Sequence, residues 1–347
     1  MNILVTGGAG FVGSHVVEHF SRKGYEIIAF DNLKRGEILE KDLSLEHNVK
    51  FLKDLSKVSF VRGDIRDFSL LKEVCRDVDV IIHTAAQVAV TTSLKNPRKD
   101  FEINALGTFN VLEAARLNDC VVIYCSTNKV YGNNVNKIPI VERETRYEFA
   151  DDKYRRGIPE NFPIDLCEHT PYGSSKLCAD IYVQDYSYVY GLKTGVFRMS
   201  CIYGERQFGV EDQGWVTWFI IATLLDKPIT IYGDGKQVRD ILYVKDLVRA
   251  FDLFLKSNLK QEVFNIGGGP ENTLSLLELL DLLEDVTGKR NRVKYDNWRV
   301  GDQKVYISDI TKVKEKLWWE IKIKPREGIT RMIEWVGANS KLFKSNF

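Results

Sequence analysis

The stretch from Met1 to Asp31 constrains the fold more tightly than any other. Asn2-Ile3-Leu4-Val5-Thr6 is a short apolar run, long enough for one buried parallel strand. It enters Gly7-Gly8-Ala9-Gly10-Phe11-Val12-Gly13. Val12, Val16, Val17 and Phe20 then recur on one helical face, which Gly24 closes. Tyr25 to Phe30 reads as a second strand, ending at Asp31. Gly7, Gly10 and Gly13 let the backbone approach a pyrophosphate and let the helix sit close to the strand. The helix N-terminus, with Phe11 and Val12, faces the phosphates. Asp31 stands where it accepts hydrogen bonds from ribose hydroxyls. The unit predicts a bound dinucleotide. A carboxylate at Asp31 repels a 2′-phosphate, so NAD is preferred over NADP. Asn32, Lys34 and Arg35 follow directly. The two cations either extend the adenosine contact or form a solvated basic loop.

The rest of the chain fits one large α/β unit with a smaller lobe. Its 347 residues carry a net charge of +1, which leaves no electrostatic footprint for nucleic acid. No apolar run approaches the ~20 residues needed to span a bilayer. The first strand begins at the N-terminus, which leaves no room for a signal peptide. Cys75, Cys120, Cys125, Cys167, Cys178 and Cys201 lack metal-type spacing, and several lie in apolar runs. Buried free thiols, no bound metal and a cytoplasmic setting are expected.

A doubly wound parallel sheet of Rossmann type is expected, with a C-terminal substrate-binding lobe. Residues 1–199 form the dinucleotide domain and 200–347 the lobe, parts of which are free to return to the sheet. Residues 34–57 read as a polar surface excursion with a short helix. Val58 to Val61 is the third strand, followed by Gly63-Asp64-Ile65. Asp64 and Ile65 sit where this fold class binds adenine; Asp64 also suits a helix cap, together with Asp67. Val78 to His83 is the fourth strand. His83 reads as a satisfied core histidine. Thr84-Ala85-Ala86-Gln87 are small or polar residues at a strand exit, fitted to a backbone passing a cofactor. Pro97 starts a long helix through Phe101, Leu106, Phe109, Val111, Leu112 and Ala115. Asn104 is polar on that face and either contacts the cofactor or is a structural amide. Cys120 to Cys125 is the fifth strand and runs into Ser126-Thr127. Residues 133–170 form a long polar excursion, Lys193 to Met199 a sixth strand, and 214–226 a helix. Ile229 to Tyr232 is a short strand and Gly233 to Asp240 a turn entering another; Val263 to Gly269 and a leucine-rich helix, Leu274 to Leu283, follow.

Tyr172 and Lys176 are four residues apart, on one face of a helix that follows Pro171. A lysine cation beside a phenol favours phenolate and lowers its pKa from about 10. A tyrosine so placed exchanges a proton with an alcohol near neutral pH. Thr127, at the end of the fifth strand, is placed to share a hydrogen bond with the same alcohol. Tyr172 and Lys176 therefore count both as catalytic and as cofactor-contacting residues.

These motifs together resemble the extended short-chain dehydrogenase/reductase family of nucleotide-sugar enzymes. The residues that carry the resemblance are Thr6 to Gly13, Ser126-Thr127 with Val130-Tyr131-Gly132, and Tyr172 with Lys176. Gly267-Gly268-Gly269, Arg239 and Arg299 extend it over nearly the whole chain. The resemblance implies that Arg239 and Arg299 grip the diphosphate of a sugar nucleotide, though surface ion pairing is open to both. A 4,6-dehydratase of the family would carry Asp-Glu directly after the threonine; here Asn128 and Lys129 follow. The stretches Gln87–Ser93, Ser126–Gly132, Arg206–Phe208, Asp212–Trp215 and Gly235–Asp240 resemble the CDP-sugar 2-epimerases. That branch implies retained NAD, a CDP-linked hexose as partner, and oxidation at C2. CDP-paratose and CDP-glucose are both open as substrates. It further implies a homodimer or homotetramer. Thr127, Asn128, Lys129, Ser200, Arg206, Gln207, Gln213, Tyr232, Arg239, Arg299 and Asp302 are the implied sugar-nucleotide contacts. A UDP-hexose or UDP-uronate 4-epimerase is the alternative enzyme. A non-enzymatic NAD-sensing or RNA-associated protein is disfavoured by the intact Thr127, Tyr172 and Lys176.

Overall fold

Seven short runs align as one sheet in the computed structural model, which describes residues 1–346. They are β1 (Asn2–Thr6), β2 (Glu26–Asp31), β3 (Val58–Arg62), β4 (Val80–His83), β5 (Val121–Thr127), β6 (Thr194–Met199) and β7 (Gln261–Ile266). Their order is β7-β6-β5-β4-β1-β2-β3. From β3 across to β5 every pair is parallel, with Leu4 standing between Ile28 and Ile81. β4 is buried throughout, and β1 and β5 almost so, as expected of strands covered by helices on both faces. The order of connection reverses between β1 and β4. Their carboxyl ends bring Gly7 and Thr84 side by side, the position where open α/β sheets bind ligands.

The chain divides into two interleaved units. Met1–Val130, Pro171–Arg198 and Val248–Phe264 make the first; Tyr131–Thr170, Met199–Leu247 and the chain from Asn265 onward make the second. The boundary drawn at residue 199 does not describe this division. The excursion over 131–170 belongs with the second unit, while 248–264 returns to the first. The return has a simple cause: β6 has an open edge whose backbone groups need partners. Thr194 N meets the Lys260 carbonyl at 2.8 Å where β7 comes alongside.

In the first unit, Leu4, Ile81, Val122 and Val196 of the sheet pack with Val111, Leu112, Ala115, Ala179 and Val183 of two helices. The helix expected from Pro97 is interrupted. Asn96 caps Pro97–Phe101 by accepting from Lys99 N, a π turn spans Glu102–Leu106, and the α-helix resumes over Gly107–Asn118. Phe101, Leu106 and Phe109 consequently point outward, while Val111, Leu112 and Ala115 stay buried. The 34–57 excursion holds two helices, Arg35–Leu39 and Glu46–Lys53.

In the second unit Val238–Tyr243 is the central strand. It pairs with Thr273–Ser275 antiparallel, and with Val305–Tyr306 and Cys201–Tyr203 parallel. Ile229–Tyr232 pairs separately with Val293–Asp296, and the 133–170 excursion contributes a hairpin of Ile140–Glu142 and Tyr147–Phe149. Helix Leu276–Thr287 begins with a capping box between Ser275 and Glu278 and ends at Gly288. Among the described residues no helix is long and apolar enough to cross a membrane.

Candidate active site

The glycine turn is built as the sequence predicts. Gly7 has φ +69°, and a side chain there would place Cβ 2.7 Å from Ala85 N. At Gly13 a Cβ would lie 2.1 Å from the Gly7 carbonyl oxygen, so no larger residue fits. Helix Phe11–Arg22 starts at Gly10 with no side-chain cap and no acid in its first turn. Its positive end is left for a phosphate. Cβ-free positions around an uncapped helix end fit a dinucleotide. Asn48, which the polar pattern of 34–57 did not reveal, is fully buried and donates from Nδ2 to the Ala9 carbonyl at 2.9 Å. It steadies the turn from outside.

Asp31 Oδ2 accepts from Ala9 N at 3.1 Å and Oδ1 from Leu33 N at 2.8 Å. Burial raises its pKa, against the pull of these backbone donors. Asp64 is claimed more fully than expected. Arg66 grips it at 2.8 and 2.9 Å, and Asn32 Nδ2 donates to it at 2.9 Å. The Arg66 hydrogen bonds hold its carboxyl well below the usual range. The helix cap falls to Asp67, which accepts from Leu70 N. Ile65 is buried, and its carbonyl accepts from Asn110. Lys34 is exposed and 3.7 Å from Glu37, whereas burial pushes Arg35 down to about 10. Only Lys34 therefore fits the solvated loop.

At the β4 exit, His83 is a core histidine. Its Nδ1 lies 2.6 Å from the Thr6 hydroxyl and its Nε2 3.0 Å from that of Thr108. Burial pushes it down to about 3. Thr84 donates to the Thr6 carbonyl at 2.7 Å, and Ala85 passes against Gly7. Ala86 and Gln87 continue this strand exit. Asn104, inside the π turn, is the amide that fixes it: Oδ1 accepts from Gln87 N, and Nδ2 donates to the Gln87 carbonyl, Asp100 and Ser175. Asp100 and Ser175, both missed in the sequence, complete this net. Ser175 Oγ donates to Asp100 at 2.5 Å, and Gln87 Nε2 does so at 2.6 Å. The π turn is the backbone's adjustment to these tertiary bonds.

Helix Pro171–Tyr190 brings Tyr172 and Lys176 to the end of β5. Tyr172 is buried, and burial raises its pKa to about 12, while a hydrogen bond with Thr127 pulls it down. Lys176 is seated on β5. Its Nζ donates to the Cys125 carbonyl at 2.6 Å and stands 4.2 Å over the Tyr124 ring. Burial lowers the ammonium to about 8. Burial dominates for the phenol, and Thr127 is the neighbour that favours phenolate. Thr127 Oγ1 lies 3.3 Å from both Asn128 Oδ1 and Lys129 N.

The implied sugar-nucleotide residues of the second unit fall into two sets. Arg239 donates to Asp302 at 2.5 Å and to the Val238 carbonyl at 2.8 Å. Arg299 lies 3.9 Å over the Tyr232 ring and 3.1 Å from Asp212, and Tyr232 donates to Glu211 at 3.0 Å. A turn in which Asp302 N meets the Arg299 carbonyl joins them. Both arginines are therefore ion-paired, and Arg239 contacts the turn that carries Arg299. Ser200 and Gln207 are used internally. Ser200 donates to the fully buried Asp240 at 2.5 Å, and Gln207 Oε1 accepts from Thr217. Arg206 is buried with φ +62°, and Gln213 is half-buried in a bridge with Val210.

The family model described as the NAD dependent epimerase/dehydratase family matches residues 3–267. The chain belongs to the NAD-dependent epimerase/dehydratase family. As a member of this family of nucleotide-sugar enzymes it takes NAD as its cofactor. This family member is 41% identical to the CDP-paratose 2-epimerase of Salmonella typhi over 97% of its length and 100% of that protein's. It is 32% identical to the UDP-glucuronate 4-epimerase of Thermodesulfobacterium geofontis, covering 99% of the chain and 98% of that protein. Among solved structures, a UDP-glucose 4-epimerase of Thermotoga maritima with UDP-glucose is similar, with a TM-score of 0.81 and 32% identity. That match covers 98% of this chain and 100% of the other. The glycine turn and the Tyr172–Lys176 helix stand on a sheet shared with these enzymes.

Proposed function

We propose that the chain is an isomerase that inverts C2 of a CDP-linked hexose, turning CDP-paratose into CDP-tyvelose or CDP-glucose into CDP-mannose. The full-length 41% identity to a CDP-paratose 2-epimerase carries this reading. Asn128 and Lys129 in place of the dehydratase acids support it. The glycine turn, Asp31 and the Thr84–Gln87 exit would hold NAD, which when bound takes up the C2 hydrogen with its electron pair and gives it back. Tyr172 removes the proton of the C2 hydroxyl and later returns it, with Thr127 sharing the hydrogen bond. Lys176 is charged below about pH 8. Of its three N–H donors one goes to Cys125, and the others suit a ribose hydroxyl. The 2-keto sugar turns over before the hydrogen returns to its other face. Arg239 and Arg299 hold the diphosphate by exchanging their carboxylate partners for phosphate oxygens. A cytoplasmic setting belongs to this reading.

The test is incubation of purified protein with CDP-paratose, CDP-glucose, UDP-glucose and UDP-glucuronate in deuterated water. NMR should show inversion at C2 of a CDP sugar with little deuterium at that carbon. Inversion at C4 of a UDP sugar would establish the alternative, which the Thermotoga maritima similarity favours. Heavy deuterium incorporation at C2 would point to deprotonation beside a carbonyl instead.

We also infer a homodimer, or a homotetramer made of such dimers, through two helices of the first unit. Phe101 (55% exposed), Leu106 and Phe109 are exposed, as are Ile181 and Tyr182 of helix Pro171–Tyr190, and Phe109 stands edge-on to Tyr182 at 5.9 Å. Contiguous apolar surface of this kind marks an interface. Sedimentation should give dimers or tetramers, and Leu106→Glu should give monomers; a monomeric wild type would refute the assignment.

A further inference from the structure

Helix Pro171–Tyr190 is stitched to β5 at consecutive residues. Lys176 donates to the Cys125 carbonyl, and one turn further on Asp180 Oδ2 accepts from the Ser126 hydroxyl at 2.5 Å. Thr127 is the next residue of the strand. Asp180 is fully buried and Arg198 of β6 almost so. Arg198 reaches both carboxylate oxygens, from Nε and Nη2, at 3.0 Å each. Gln184 Nε2 donates to Asp180 Oδ1 at 2.7 Å. A buried ion pair is a poor device for stability alone, since well-packed apolar side chains commonly do as well. Apolar residues at 180 and 198 would fill the space. They would provide neither an acceptor for Ser126 nor a fixed negative charge one turn from Lys176.

We propose that Asp180, held by Arg198, is a positioning residue that sets Thr127 through Ser126 and keeps Lys176 charged on its seat at Cys125. This rests on the reading of Thr127, Tyr172 and Lys176 as the reacting set. Groups from every packed element face Lys176. They are Asp100 on Pro97–Phe101, His83 on β4, Tyr124 and Cys125 on β5, and Asp180 on its own helix. Burial lowers the ammonium, and Cys125, Asp180 and Asp100 oppose that. Asp100 faces the lysine from another helix, whereas Asp180 lies one turn on along the lysine's own helix and is tied to Ser126, the neighbour of the lysine's acceptor Cys125.

The experiment follows the ¹³Cε resonance of Lys176 through a pH titration of the holoenzyme. Asp180→Asn should lower the lysine pKa by ~1 unit and move the alkaline limb of the kcat profile down equally, with KM unchanged. Asp180→Glu should restore most of the titration. Ser126→Ala keeps the ion pair, so it should keep the Lys176 titration while lowering kcat about tenfold. A folded Asp180→Asn protein with the wild-type Lys176 titration overturns the proposal. If that variant does not fold, Ser126→Ala decides: wild-type kcat overturns the proposal, and lowered kcat supports it. The titration needs no substrate, and turnover is read on whichever nucleotide sugar the wild type converts. A wild type inactive on CDP sugars therefore counts against the proposed function and not against Asp180.

Discussion

Tyr172→Phe is expected to lower kcat by ~10²–10⁴-fold, the usual weight of a positioned acid–base group. NAD should stay bound. The ring is buried and remains in the variant, so folding and the glycine turn are untouched. What disappears is the hydroxyl that Thr127 contacts. Cofactor released by acid precipitation should match the wild type in amount, while sugar inversion falls to near background. A variant that turns over at near-normal rate would remove Tyr172 from the reaction.

The second large effect is on stability in mild acid. His83 has a folded pKa of about 3 against an ordinary 6.5, because burial excludes the cation and Lys176 adds to this. Above pH 6.5 both folded and unfolded states hold it neutral, and nothing is lost. Below 6.5 the unfolded chain binds a proton that the folded protein refuses. Stability then falls by roughly 1.4 kcal/mol per pH unit until about pH 3. Between pH 6.5 and 5.0 this residue alone accounts for ~2 kcal/mol. Urea unfolding at pH 7.5 and 5.0 should show that loss in the wild type. His83→Asn is weaker at pH 7.5, for lack of the Thr6 and Thr108 contacts, but should lack this share of the pH dependence. An unchanged slope in the variant would mean that His83 takes up a proton in the folded state.

The strands were legible because parallel strands buried on both faces must be continuous apolar runs, as Val80–His83 and Val121–Thr127 are. The glycine turn was legible because much of its constraint is local: Gly7 has a positive φ, and Gly13 is fixed by the Gly7 carbonyl six residues away, although the Ala85 backbone that crowds Gly7 is distant in sequence. Tyr172 and Lys176 were legible from helix spacing, but the lysine's seat was not. That seat is a backbone carbonyl on β5, which no pattern of side chains encodes. Arg198 lies in an apolar strand and reads as an anomaly until Asp180 is placed beside it. The resemblance makes Ser200 and Gln207 sugar-nucleotide contacts; their partners Asp240 and Thr217 follow only from tertiary structure. The 131–170 excursion carries no strong periodicity to say which unit it joins, and its assignment comes from packing. The π turn at Glu102–Leu106 follows from Asn104's bonds to Gln87, Asp100 and Ser175, which are likewise tertiary.

The interleaving of the two units has a consequence for synthesis. β6 leaves the ribosome with one edge bare, and β7, which covers it, is translated only after Met199–Leu247 of the other unit. At ~5–20 residues per second that edge waits on the order of several seconds. A bare strand edge is a template for the wrong chain. The sheet of the first unit becomes complete only once about half of the second unit's sequence has already been made.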